Sequence, residues 1–378
     1  MKVGIITLHK VPNYGSALQA FALQAFLQKQ NINVELIDYK YPNDYHLSFI
    51  PKKNFYKICR ENVSRLYDYW IRRRRYQIKA FERFYKKYYC LTPIEYLSVN
   101  QIEQTPPIFD IYITGSDQVW NPKTLFVDPV MFCSFAPLKY KRISFSASFS
   151  NSVLPEKDKE KVKKYLDYYS AIGVREKSSL KILYSLNLKK NIKITCTCDP
   201  TLLLSSSEYS AIGAESTINI KQDYILVYLL NYAYDPEPAI TYVVEDVVEH
   251  YGCDVVFIGH HRIHYKRKHK YIKGIGPCDF ITLIENAKFI ITSSFHGTMF
   301  AIIFRKPFVA ITPAKHIADT RIIDVLNTIG LRDNYISSDK KLSRISLSYR
   351  YPYTQEIEDN IEKYINSSKK FLLSSLLD

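Results

Sequence analysis

Short apolar runs of strand length alternate with segments of helical apolar period along most of this chain. That alternation constrains the fold more than any other feature, because strands buried on both faces and separated by helices pair in parallel. In the first forty residues, 3–7 reads as a buried strand. Residues 17–28 carry Leu18, Phe21, Ala22, Ala25 and Phe26 at helical spacing, and 34–37 form a second strand. Strand-like runs follow at 111–114, 143–146, 171–174 and 192–197, with helices at about 155–169 and 176–186. The second half repeats the pattern, with strands at 224–230, 255–258, 289–292 and 308–311 and helices at about 238–250, 279–287, 297–305 and 319–328. The expectation is an α/β protein of two doubly wound, parallel-sheet (Rossmann-like) domains facing a cleft. Their ligands would lie outside the carboxyl ends of the strands. Residues 1–205 form the first domain, with a helical insertion at about 52–105, and 206–350 form the second. The boundary lies in the polar stretch 205–221, and a helix within 351–378 crosses back onto the first domain.

Composition narrows the function classes. At 378 residues the chain exceeds a single core of about 150 residues, and 47% apolar residues exclude wholesale disorder. Seven cysteines, an odd number with no C-x-x-C pair, fit neither a disulfide framework nor a zinc ribbon. They suit a reducing cytoplasm, as does an N-terminal run without signal-peptide architecture, and no apolar stretch is long enough to span a bilayer. Of the net charge of +15, residues 52–89 supply +10, from 13 Lys/Arg against three acids, with aromatic residues interleaved at helical spacing. Three readings of these basic amphipathic helices are open. One is a solvated face and another, led by Arg72, Arg73, Arg74 and Arg75, is contact with an anionic membrane or a lipid-linked substrate. The third, nucleic acid, is supported by no recognition signature.

Candidate chemistry falls at strand ends. After the first strand, Asn13, Tyr14, Gly15 and Ser16 open a helix whose N–H groups suit an anion or a sugar hydroxyl. The other reading is a plain turn with Ser16 as N-cap. After 111–114 come Gly115, Ser116, Asp117, Gln118, Val119, Trp120 and Asn121; Asp117 and Gln118 could read hydroxyls while Trp120 either lies against a sugar face or packs in the core. Arg175, ahead of Glu176, is placed either to fork onto a phosphate or carboxylate or to form a structural ion pair. In Thr292-Ser293-Ser294-Phe295-His296-Gly297-Thr298 a strand ends in hydroxyl residues, and His296 precedes the Gly expected to open the next helix. A proton-transfer role is read there. The His-rich stretch 259–270 has five Lys/Arg and no carboxylate, so it reads as a basic loop that could meet an anionic substrate and not as a metal site. Cys196 and Cys198 read as packing.

Taken together and in order over about residues 1–330, Asn13-Tyr14-Gly15, the 115–121 run, Gly173-Val174-Arg175-Glu176, Asp199-Pro200-Thr201 and 293–298 resemble the polysaccharide pyruvyl transferase family. The resemblance implies a GT-B-like fold. It also implies transfer of a pyruvyl group from phosphoenolpyruvate to two hydroxyls of a saccharide, as a ketal, during bacterial surface polysaccharide (exopolysaccharide) synthesis. His296 matches the family's catalytic histidine and Arg175 its donor-binding arginine. Ser294, Phe295, Gly297 and Thr298 are expected on the donor side, and Asn13, Tyr14, Gly15, Asp117, Gln118 and Trp120 on the acceptor side. No cofactor beyond phosphoenolpyruvate as co-substrate and no metal is implied. The chain departs from some relatives in having Ser294 where they carry a basic residue two places before the histidine. The resemblance also gives a cytoplasmic setting with a lipid-linked acceptor at the inner membrane face. Two alternatives stand beside this reading: a nucleotide-sugar glycosyltransferase, with His296 as base and Arg175 on the diphosphate, and a sugar- or lipid-binding protein without turnover.

Overall fold

A computed structural model describes residues 1–40, 74–150, 153–230, 234–259, 269–314, 319–340 and 351–377. The described strands form two six-stranded sheets. The first contains β1 (Lys2–Ile6), β2 (Asn33–Leu36), β3 (Ile111–Thr114), β4 (Lys141–Ala147), β5 (Ala171–Val174) and β6 (Lys193–Cys196) in the order β2-β1-β3-β4-β5-β6. The second contains β7 (Tyr224–Leu229), β8 (Asp254–Gly259), β9 (His269–Tyr271), β10 (Phe289–Thr292), β11 (Phe308–Thr312) and β12 (Tyr335–Ser337) in the order β12-β11-β10-β7-β8-β9. Every strand pairing is parallel. The reason is visible in the strands themselves: β3, β5, β7, β10 and β11 are buried along their whole length, which requires helices on both faces. The chain divides into two compact units, Met1–Leu203 with Ser367–Asp378, and Leu204–Asn366.

The helices are α1 (Tyr14–Lys29), α2 (Arg74–Tyr88), α3 (Val99–Gln104), α4 (Pro122–Leu125), α5 (Glu156–Leu166), α6 (Lys177–Ser185), α7 (Ser206–Gly213), α8 (Ala239–Tyr251), α9 (Pro277–Glu285), α10 (Phe295–Ile303), α11 (Arg321–Ile329) and α12 (Gln355–Leu377). The last turns of α12 belong to the first unit. There the Ser368 hydroxyl accepts from the Cys198 N–H at 2.8 Å, and Phe371 fills the space that a side chain at Gly173 would need.

The structure gives detail in three of these segments. The polar stretch 205–221 opens with α7, because Ser205 and Glu208 form a reciprocal capping box and the Gly213 carbonyl accepts from Thr282 Oγ of α9. The His-rich stretch contributes His269 and Lys270 to edge strand β9, while 260–268 lie outside the described residues. In the basic insertion, 41–73, including Arg72 and Arg73, also lie outside them; Arg74 and Arg75 begin α2. The apolar face of α2 is spent on the core. Phe81 stacks on Tyr14 at 5.5 Å, Phe84 and Tyr88 pack edge-on against Phe21, and Tyr89 Oη donates to the carbonyls of His9 and Ala17. What α2 leaves to solvent is Tyr76, Lys79, Glu82, Arg83, Lys86 and Lys87.

The strand orders locate the sites. In the second sheet the strand order steps outward from β7 through β8 and β9 on one side and through β10, β11 and β12 on the other, so the order reverses between β7 and β10; in the first sheet it reverses between β1 and β3. Crevices at the carboxyl ends of such reversals are where doubly wound sheets bind ligands.

Candidate functional site

At the β1/β3 reversal the first unit gathers buried polar side chains from five loops. The Asn13 side chain caps α1, accepting from the N–H groups of Gly15 (2.9 Å) and Ser16 (3.2 Å). The helix therefore starts earlier than its apolar period suggests, with Asn13 and not Ser16 as N-cap. Ser16 is released to reach across the reversal, its hydroxyl donating to Asp117 Oδ2 at 2.5 Å. Asp117 holds a left-handed backbone (φ 76°) and accepts from the Gln118 N–H. Ser146 and Ser150, after or near the end of β4, are left-handed as well. Non-glycine residues in that conformation persist only where their surroundings hold them, and they gather at functional loops.

Below this edge the loop after β1 is pinned by the fully buried His9. Its Nδ1 lies 3.0 Å from the Thr7 carbonyl oxygen and its Nε2 3.3 Å from Asp38 Oδ1, while Lys10 Nζ donates to Asp38 Oδ2 at 2.6 Å. Burial pushes the Asp38 carboxyl upward, but the hydrogen bonds and charges of His9 and Lys10 outweigh it and hold the group below its ordinary value.

Arg175 follows β5 with its side chain wholly enclosed. Its Nη1 donates to Asp199 Oδ2 at 3.1 Å, its Nη2 lies 3.7 Å from Asp117 Oδ1, and its Nε lies 3.9 Å from Glu176 Oε2. Ser116 Oγ ties in by donating to Asp199 at 2.9 Å, and Thr201 donates to the other oxygen of the same carboxylate through its N–H and hydroxyl. Glu176 accepts from the hydroxyls of Ser148 and Ser179. Of the two readings open for Arg175, the structure shows the ion pair. The guanidinium is shared among three buried carboxylates.

Several acceptor-side expectations are corrected by packing. Trp120 is 1% exposed, stacks on Phe132 at 5.4 Å and donates its indole N–H to the Met131 carbonyl, so it fills the core and offers no face to a sugar. Tyr14 is buried against Phe81, and the N–H of Gly15 is spent on the cap. Asp117 and Gln118 remain at the loop edge, where the Gln118 side chain accepts from Asn121 Nδ2. Asp199 and Ser116 stand in the sequence only as members of motifs, and Ser148 was missed. Their signal is a small or acidic residue within three positions of the end of a parallel strand.

In the second unit the β7/β10 reversal is closed by Ser293, whose hydroxyl accepts from the Leu230 N–H at 2.8 Å. Ser294 caps α10, accepting from the Gly297 N–H at 3.2 Å, while its own N–H donates to Thr292 Oγ. Helix α10 thus begins at Phe295, two residues before the Gly expected to open it. His296 is placed in its first turn, 7% exposed, packed edge-on against the Phe295 ring at 5.3 Å. Gly297 is required: a Cβ there would fall 2.4 Å from Thr292 Oγ and 2.9 Å from Tyr228. Its N–H and the Thr298 hydroxyl, which donates to the Ser294 carbonyl, serve the cap, so these donor-side positions act through the backbone they shape. His296 is therefore the imidazole that the cap and strand end deliver to the reversal point.

Two parallel six-stranded sheets, each with polar strand-end loops at its reversal, define the class: a GT-B-like α/β protein. In fold the chain is similar to UDP-GlcNAc 2-epimerase from Methanocaldococcus jannaschii, at 16% identity over 97% of this chain and 100% of that one (TM-score 0.51). It is similar also to UDP-GlcNAc 2-epimerase from Neisseria meningitidis, at 11% identity over 100% of both chains (TM-score 0.50). No curated protein matches it in sequence. Residues 13–315 match the family described as polysaccharide pyruvyl transferase, and the chain belongs to that family.

Proposed function

We propose that the protein transfers a pyruvyl group from phosphoenolpyruvate to two hydroxyls of one saccharide, forming a pyruvate ketal and releasing inorganic phosphate. The observation that supports this reading, within the family the chain belongs to, is His296 in the Ser294-capped first turn of α10 at the sheet reversal. His296 as the imidazolium gives its proton to C3 of phosphoenolpyruvate, which makes C2 electrophilic. One sugar hydroxyl attacks C2 and returns its proton to the His296 imidazole, the C2–O bond to phosphate breaks, and the second hydroxyl adds to C2 to close the ketal, its proton passing to the departing phosphate. Arg175 acts as a positioning residue, holding the loops after β3, β5 and β6 through Asp117, Glu176 and Asp199. The test is mass spectrometry of candidate glycans incubated with the protein and phosphoenolpyruvate. A pyruvyl ketal mass increment with one phosphate released per ketal is expected; release of nucleotide from nucleotide sugars without any ketal would sink the reading.

The acceptor in this reading is carried on a lipid at the inner membrane face, and the basic side of α2 is the surface that meets it. No described helix is long and apolar enough to cross a membrane. With Phe81 and Phe84 of α2 buried and Tyr76 left exposed, attraction rests mainly on charge, at about 1 kcal/mol per basic side chain near an anionic surface and falling off beyond roughly 10 Å. A variant with Gln at Lys79, Arg83, Lys86 and Lys87 is expected to co-sediment less than wild type with phosphatidylserine vesicles at low salt. Equal sedimentation of both proteins would return α2 to a plain solvated helix.

A further inference from the structure

Charge that is scattered along the chain is gathered by the fold at one edge of the first sheet. The parallel strands β4, β5 and β6 are neighbours, so the segments that enter them, 137–140, 167–170 and 187–192, lie side by side. The Ser170 N–H donates to the Arg142 carbonyl there, and the Lys193 N–H to the Ser170 carbonyl. With the end of α5 and the first residues of β4 and β6, residues 137–142, 163–170 and 187–193 hold eight Lys/Arg against one acid, or +7 of the net +15. Residues 52–89 hold +10, so the rest of the chain carries −2. The one acid, Asp167, is already engaged: it pairs with Lys163 at 3.4 Å and accepts from the Lys189 N–H at 3.1 Å. Arg142, 3% exposed, donates from Nε, Nη1 and Nη2 to the carbonyls of Cys133, Tyr140 and Ala136, and among the described residues no carboxylate pairs with it. The edge is therefore strongly positive, and its complement is an anionic surface.

The same edge exposes apolar side chains. Leu138 is 72% exposed and Tyr168 47%, and the centre of the Tyr168 ring lies 5.5 Å from Lys189 Nζ and 5.6 Å from the Arg142 guanidinium carbon. Lys139, Lys164, Lys189 and Lys190 are exposed on the same segments. A polyanion alone would match the charges and leave Leu138 in water. A bilayer of anionic lipid takes both: the leucine and the tyrosine ring enter the headgroup layer while the lysines stay with the lipid phosphates. Helix α2 ends toward this edge as well. Phe81 meets Tyr14 at the start of α1, and the Tyr88 carbonyl accepts from Gln24 farther along it, so α2 runs with α1 toward the entry to β2. We propose that the amino edge of β4, β5 and β6 docks on an anionic lipid bilayer, with Leu138 and Tyr168 at headgroup depth and Lys139, Lys164, Lys189 and Lys190 on lipid phosphates. This gives the membrane contact an apolar anchor that α2 lacks. Charge and exposure carry the docking surface, whatever group the protein transfers.

The experiment is co-sedimentation of the full chain with phosphatidylserine vesicles and, separately, with phosphatidylcholine vesicles across a salt series. Wild type is expected to bind phosphatidylserine at low salt and phosphatidylcholine weakly. Gln at Lys139, Lys164, Lys189 and Lys190 together is expected to lower the partition coefficient on phosphatidylserine at least about tenfold. Leu138→Ser is expected to lower it about three- to tenfold at every salt concentration, because the lost contact is apolar and not screened. Its side chain is already exposed, so this variant keeps the comparison should the four-lysine variant lower the unfolding midpoint. Wild-type partition in the four-lysine variant overturns the docking surface, as does failure of wild type to bind phosphatidylserine. Unchanged partition in Leu138→Ser overturns it too, and strong competition by polyglutamate would then mark the edge as a plain polyanion surface. The variant with Gln at Lys79, Arg83, Lys86 and Lys87 is expected to lose only part of the binding, and its effect to add to that of the four-lysine variant. Loss of all binding in that α2 variant alone would assign the contact to α2 and remove this edge from it.

Discussion

Replacing His296 with alanine is expected to lower ketal formation by about 10²- to 10⁴-fold, the usual contribution of a positioned general acid or base. The loss should fall on turnover. Phosphoenolpyruvate binding is expected to change little, because the group supplies a proton in the transition state and is not the anchor for the anions. The fold should survive: Ser294, not His296, caps α10, and the strand-end bonds run through Thr292 and Ser293. His296→Gln keeps much of the volume and a hydrogen-bonding group but cannot pass a proton, so it is expected to be nearly as impaired as alanine. Single-turnover kinetics with phosphate release as the readout, alongside thermal unfolding, separate the two effects. Near wild-type turnover in either folded variant would remove His296 from the mechanism.

The second large effect is expected at Arg175, and it is one of stability. The guanidinium lies among Asp199 at 3.1 Å, Asp117 at 3.7 Å and Glu176 at 3.9 Å, with its side chain fully enclosed. Arg175→Ala leaves three carboxylates facing a void. Removing one partner of a buried ion pair typically costs about 3–5 kcal/mol, because the remaining charge stays desolvated. For a unit of this size that corresponds to an unfolding midpoint lower by roughly 10 °C. Arg175→Met fills the volume without the charge and is expected to be destabilised nearly as much, which distinguishes lost charge from a cavity. Calorimetry of the three proteins reads this directly. An unchanged midpoint in both variants, with weakened phosphoenolpyruvate affinity, would make Arg175 the donor contact that its family resemblance suggests.

Sequence periodicity had real reach here. The apolar runs at 111–114, 171–174 and 289–292 coincide with β3, β5 and β10, and the helical spacing within 17–28 falls inside α1. These were legible because burial on both faces leaves an unbroken apolar run, and one-sided packing leaves a 3.6-residue period, whatever the partner is. Helix starts were less legible. The caps at Asn13 and Ser294 lie ahead of the apolar period they serve, where a polar side chain bonds the first N–H groups and leaves no hydrophobic signature. Short elements such as α7 and β12 were missed for a related reason: a few residues carry too little pattern to stand out.

Chemistry divides along the same line. The sequence by itself determined that polar and titratable residues follow the strands, that His296 sits at a strand-to-helix junction, and, through its ordered motifs, the family. Tertiary structure alone decided what those side chains touch. Ser16 meets Asp117 across 101 residues of chain and Arg175 meets Asp199 across 24, because the strand order brings the loops together. Trp120 is a core residue because Phe132 and Met131 close over it, and Arg321 lies at Phe295 because β11 pairs beside β10. The physical reason is one of range. Backbone geometry and apolar period are set by neighbours a few residues apart, whereas burial, ion pairing and the shape of a site depend on contacts that only the closed sheet creates.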